Sequence, residues 1–157
     1  MKKKLFIFLS LLLVVGCSKP INDETLIDKD GLKYHPDTKE FYSGETTKYR
    51  LGGAKEFDGI YKYGKPDGRW IYYYENGQKS KEGFYKDGKP DGRWTFWYPF
   101  GRKSVEQNYK NGKKDGLWIY YDANGQKKEE GNFENGKEVG KWTFYNDDGL
   151  VKEVKEY

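Results

Sequence analysis

Gly92-Arg93-Trp94-Thr95-Phe96-Trp97-Tyr98 is one of four variations on a single phrase. Gly68-Arg69-Trp70-Ile71-Tyr72-Tyr73-Tyr74 precedes it, and Gly116-Leu117-Trp118-Ile119-Tyr120-Tyr121 and Gly140-Lys141-Trp142-Thr143-Phe144-Tyr145 follow. Each copy begins 24 residues after the one before. A fixed period of this size marks a repeat architecture. Between the copies the glycines keep phase: Gly77, Gly101, Gly125 and Gly149 share one, and Gly64, Gly88, Gly112 and Gly136 another. Tyr61, Tyr85, Tyr109 and Phe133 mark a third.

The punctuation between copies is that of hairpins. Asn76-Gly77 and Asn124-Gly125 tolerate the positive φ of a type I′ turn, which is expected there. Asp87-Gly88-Lys89-Pro90-Asp91-Gly92 reads as a longer loop, because Pro90 lacks the N–H a ladder needs. Each repeat is then a polar strand (residues 78–86 in one copy) followed by an aromatic strand (93–98). Helix is excluded by glycines every 11 to 13 residues. The expected fold is all-β, an elongated single-layer antiparallel meander. A degenerate repeat at 32–56 precedes four regular repeats at 57–157. In the degenerate copy Gly44 and Gly53 keep the phase, but Thr46 stands where Trp is expected. Terminal repeats diverge in this way when one face has no neighbour.

Mean hydropathy is -1.08, and 34% of the 157 residues are charged. Such a chain tends to disorder unless something else supplies a core. Here 18% aromatic residues do so. The net charge of +4 owes much to Lys2, Lys3 and Lys4; beyond residue 16, 26 basic residues face 25 acidic ones. Balanced charge gives no electrostatic basis for nucleic-acid binding.

Those three lysines open a segment with an apolar run at residues 5–15, too short to span a bilayer and the right length for a signal-peptide core. It ends at Val14-Val15-Gly16-Cys17, which resembles a bacterial lipobox. The resemblance implies cleavage after residue 16 and lipidation of Cys17, the single cysteine. Ser18, in place of Asp, implies passage to the outer membrane. Acyl chains on Cys17 suffice for stable anchoring. Residues 17–31 then read as the lipidated cysteine and a polar tether reaching about 45 Å. The repeat domain is 32–157.

Phe84-Tyr85-Lys86-Asp87-Gly88-Lys89-Pro90-Asp91-Gly92-Arg93-Trp94 and its copies resemble MORN repeats of the bacterial variant. The resemblance covers residues 32–157. It implies stacked β-hairpins in a twisted sheet that serve binding and assembly, and a family often described as antitoxin-like. The chain also resembles cell-wall (choline) binding repeats around Trp70-Ile71-Tyr72-Tyr73-Tyr74-Glu75-Asn76-Gly77. Those run near 20 residues, so the 24-residue period favours the MORN variant.

Alternation along each strand separates two faces. Trp70, Trp94, Trp118 and Trp142 are the expected core, with Gly68, Gly92, Gly116 and Gly140 leaving room for neighbouring rings. Tyr73, Trp97, Tyr121 and Tyr145 form a row on the opposite face at intervals of about 10 Å, a candidate site for a protein or a glycan polymer. The interleaved Lys and Glu read as solvated strand faces. Pro99-Phe100 replaces the Glu75-Asn76 of the previous turn and places a ring at its tip.

No catalytic constellation is legible. His35 is the single histidine and reads as a surface turn residue, and Cys17 is expected to be lipidated. Asn146-Asp147-Asp148-Gly149 falls in the hairpin phase and lacks a calcium loop's ligands. The expectation is a non-enzymatic envelope lipoprotein without metal or cofactor, anchored to the membrane and bound to a protein. The alternatives are an immunity protein neutralising a toxin and a glycan-binding lipoprotein.

Overall fold

A computed structural model of the chain describes residues 19–157. Cys17 and the segment before it lie outside the described residues. The repeats form one sheet in which each strand pairs with its predecessor. Gly44–Tyr49 is followed by Lys55–Lys62 and Gly68–Tyr73, then by Lys79–Lys86 and Lys89–Trp97. Lys103–Lys110, Gly116–Tyr121, Lys127–Glu134, Lys137–Tyr145 and Val151–Glu156 complete it. All these pairings are antiparallel.

The two kinds of turn exchange places relative to expectation. Asp87-Gly88 is the two-residue type I′ turn, with φ of 50° and 81°, and Lys86 pairs directly with Lys89 across it. Asn111-Gly112 and Asn135-Gly136 repeat this conformation. At Asn76-Gly77 only the glycine has positive φ. Gly77 N donates to the Tyr74 carbonyl (3.0 Å) and Tyr74 N to the Gln78 carbonyl (2.8 Å). That is a type I turn closed by a left-handed glycine. Pro90 therefore lies inside a strand, opposite Tyr85. One step from a two-residue turn the pair is non-hydrogen-bonded, so the missing N–H costs that ladder nothing. The Pro90 carbonyl still accepts from Gly112 N of the next repeat (2.8 Å).

Residues 21–34, read from sequence as tether and repeat boundary, belong to the folded body. Ile21–Asn22 pairs in parallel with Thr46 and Thr47, and Asn22 caps a 3₁₀ turn at Asp23–Thr25. Leu26 is buried against Tyr61 and Trp70. Buried Asp23 accepts from the Tyr61 hydroxyl (3.0 Å) and from Lys33 Nζ (3.1 Å). This explains Thr46: at the tryptophan phase of the first copy, its hydroxyl donates to the Ile21 carbonyl (3.0 Å), and it is 1% exposed. The N-terminal segment fills the place of a preceding repeat.

The core is a spine of rings on one face. Trp70, Trp94, Trp118 and Trp142 are all buried. Tyr85 meets Trp94 edge-on at 5.0 Å, and Phe133 meets Trp142 at 5.2 Å. Each tryptophan also touches the ring of the next repeat, as Trp70 does Tyr85 at 5.7 Å. Such pairs add about 0.5–1.5 kcal/mol each beyond area burial.

The glycines that seat these rings are not the expected ones. Around Gly92 there is nothing within 4 Å of where a Cβ would stand, and its φ of +75° makes it a backbone glycine at an irregularity in the ladder. The ring of Trp94 lies instead on Gly83, where a Cβ would fall 2.2 Å from Trp94 Cδ2. Gly59 seats Trp70 and Gly131 seats Trp142 in the same way. Each indole N–H then donates to the carbonyl one residue on, as from Trp94 to Phe84 (3.1 Å). The third copy has buried Gln107 at this position. There Trp118 stands 6.0 Å from Tyr109 and is tilted at 62°, against 5.0 Å and 87° for Trp94 on Tyr85.

Candidate functional site

On the face opposite the spine the ladder register builds one polar unit per repeat. Lysine and acid three residues apart lie on the first strand of each hairpin: Lys55 and Asp58, Lys79 and Glu82, Lys103 and Glu106, Lys127 and Glu130. The expected aromatic row stands 15 residues after each acid. Tyr73 donates to Asp58 (2.9 Å) and Tyr121 to Glu106 (2.9 Å), while Tyr145 donates to Glu130. Arg69 adds a fork onto Glu82 (3.2 and 3.3 Å), and Arg93 reaches Glu106. These carboxylates are all paired, and each side chain is less than a third exposed. Glu106 is 8% exposed and holds Lys103, Arg93 and Tyr121 together.

Burial alone would raise Glu106 and Asp58, but the bonds each accepts outweigh it and hold both below the ordinary carboxylate range. The phenols move the other way. Burial, then the bond to the carboxylate, pushes Tyr73 and Tyr121 up to about 12. Burial raises Tyr61 and Tyr72 further still. A raised phenol stabilises the fold fully below its unfolded value of about 10, and that contribution is lost as pH climbs through the folded value. A depressed carboxylate contributes above its unfolded value of about 4, and is lost as pH falls through the folded value. The urea midpoint is therefore expected to be flat from about pH 5 to 9 and to fall on both flanks. On the alkaline side tyrosinate absorbance should rise together with unfolding. A midpoint unchanged at about pH 11.5 would contradict the phenol–carboxylate latches.

Trp97 is the exception in the row. It offers Glu82 no hydroxyl, and its indole N–H donates to no other described residue. Lys79 Nζ, bonded to Glu82, stands over its ring at 5.8 Å. The turn that follows is also unlike its copies. Phe100 is 56% exposed and stacks on Tyr98 at 5.2 Å, nearly parallel. The Tyr98 hydroxyl donates onward to the Tyr121 carbonyl (2.8 Å), and that of Tyr74 to the Trp97 carbonyl (2.6 Å). Irregular residues 97 and 100 thus sit on turns stapled from both sides.

The sequence places the row on one face, and the structure shows three of its four polar ends already engaged. The signal for this was present: an acid recurs 15 residues before each phenol, and before Trp97 too. Its meaning needed the ladder register. His35 accepts from Asp37 N through Nδ1 (3.2 Å) within its own turn. Among the described residues no three His, Cys, Asp or Glu side chains gather as metal ligands. No helix among them is long and apolar enough to cross a membrane.

No curated protein matches the chain. The family model of the MORN repeat variant matches residues 66–87, 90–111 and 114–135. Each matched unit begins just after one type I′ turn and ends at the first residue of the next. Three consecutive repeats of this sheet are thus similar to the MORN repeat variant.

Proposed function

We propose that the chain is a lipid-anchored, non-enzymatic repeat protein of the bacterial cell envelope, which binds another protein through the face that carries Trp97. The address rests on sequence alone. The lipobox-like Val14-Val15-Gly16-Cys17 supplies the anchor, and Ser18 points to the outer membrane. A repeat-based binding module agrees with the MORN-variant match.

One observation carries the site: Trp97 alone in its row has a polar atom with no partner among the described residues, within a cluster of Lys79, Glu82 and Arg69. Tryptophan and arginine are the residue types that most often dominate protein–protein binding energy. The Tyr73, Tyr121 and Tyr145 latches hold the sheet around this cluster and are structural.

The test has two arms. For the site, residues 18–157 are immobilised against solubilised envelope, beside a Trp97→Ser/Phe100→Ser bait. One protein retained by the first bait and lost by the second supports the site, and its identity separates a scaffold from an immunity role. Equal retention on both baits sinks Trp97 as the contact. For the anchor, Cys17→Ala is expected to abolish incorporation of labelled palmitate and to release the protein from the membrane fraction. Persisting label on that variant would refute the lipoprotein reading.

A further inference from the structure

The two ends of the sheet differ. At the first end Ile21–Asn22 covers the outer edge of Gly44–Tyr49 at Thr46 and Thr47. At the other, Val151–Glu156 pairs among the described residues with Lys137–Tyr145 on one side only, and every residue in it is exposed. We propose that two copies of this chain join antiparallel through this strand, on a two-fold axis at Val154.

The backbone sets the phase. Tyr157 and Gly140 exchange both of their hydrogen bonds (3.0 and 3.1 Å). Antiparallel ladders alternate, so Lys155 opposite Trp142 and Glu153 opposite Phe144 also bond inward. The N–H and C=O groups of Val154 and Glu156 are left pointing out from the edge, whereas at Lys152 the register shifts and the alternation stops. A two-fold at Val154 brings its N–H and C=O into register with those of a second copy, and the two valines exchange both of their hydrogen bonds.

The side chains select the same centre. Directly opposed residues must share a face, so the axis passes through a residue. At Val154 the regular stretch Glu153-Val154-Lys155 is complementary to its own reverse. Glu153 then faces Lys155 of the second copy and Val154 faces itself. Centres at Lys152, Glu153, Lys155 or Glu156 each oppose a charge with its own copy, which is destabilising. Charges on an edge strand ordinarily prevent pairing; here their order prevents every charged centre and favours one. A second copy fits better than an unrelated strand because the complementary pattern is the chain's own. With the far edge covered by Ile21–Asn22, the assembly closes at two.

A contact of one strand buries less than the roughly 1,000 Å² of a stable interface, so association is weak. Sedimentation of residues 19–157, which contain the whole described sheet, would be followed from about 10 µM to 1 mM. A concentration-dependent shift from monomer to dimer is expected. Glu153→Lys places two lysines opposite each other and should weaken the dimer at least about tenfold. Glu153→Lys/Lys155→Glu restores opposite charges and should return the affinity to within about twofold of the original. Val154→Pro removes an outward N–H that no bond within the chain uses, and should leave a monomer with an unchanged thermal midpoint. Wild-type protein monomeric throughout that range would overturn the proposal, as would failure of the charge swap to restore pairing.

Discussion

Gly83→Ala is expected to cost about 3 kcal/mol of folding stability, the upper range for a single overpacking methyl. The Cβ would fall 2.2–2.5 Å from three atoms of the Trp94 ring: Cδ2, Cε2 and Cγ. Those atoms would have to retreat by more than an ångström to reach ordinary contact distance. The ring has no free direction in which to do so. Its N–H is fixed to the Phe84 carbonyl (3.1 Å), and its faces and edges are held by Tyr85 at 5.0 Å, Phe96 at 6.4 Å and Tyr109 at 6.5 Å. The necessary control is Gly92→Ala. Space is open there, and only the φ of +75° resists a side chain, a penalty of about 1–2 kcal/mol. Urea unfolding of the two variants ranks them. Gly92→Ala equal to or worse than Gly83→Ala would mean that the rings are seated as the sequence alone suggested. Gln107→Ala, at the seat already filled in the third copy, should change stability by less than either.

That reversal shows where the sequence stops being legible. The period, the hairpins, the single layer and the buried tryptophans follow from spacing, because glycine turns and strand alternation are local properties. The seat does not, because two glycines of each repeat lie near the tryptophan. Gly68, Gly92, Gly116 and Gly140 never miss a copy, while Gln107 interrupts the series of Gly59, Gly83 and Gly131. The regular series serves the backbone and the interrupted one serves the packing. The turns were exchanged for a related reason. Asn-Gly favours type I′ by its dihedrals, but the five residues from Tyr74 to Gln78 between the paired strands require a longer turn. The polar units were hidden more deeply, since Glu106 and Tyr121 are 15 residues apart and meet only through the register. Residues 21–29 look like a linker in composition, and only Ile21 and Leu26 hint that they finish a sheet.

Trp94→Ala is expected to be costlier still, about 4 kcal/mol, within the range for deleting a large buried ring. Its larger consequence is for cooperativity. In a stack of hairpins each unit contacts only its neighbours, so stability is a chain of local terms and interface terms. Trp94 supplies two successive links, to Tyr85 before it and Tyr109 after it. The interface downstream is already the looser one, with Gln107 in the seat and Tyr109 at 6.0 Å from Trp118. Removing Trp94 places two weak interfaces side by side in the middle of the array. The first hairpins remain tied to the N-terminal segment through Tyr61, Asp23 and Leu26. The last remain tied by Phe133 to Trp118 and Trp142. The variant is therefore expected to unfold in two steps in urea, with amide exchange accelerated most in residues 89–110 and less at either end. Trp142→Ala provides the contrast. It removes a link to the final strand, where Tyr157 stands at 6.2 Å, so it should fray that end and leave one main transition. A single sharp transition for Trp94→Ala, with uniform loss of exchange protection, would show that the sheet is held by its continuous ladder of backbone bonds and not by the spine of rings.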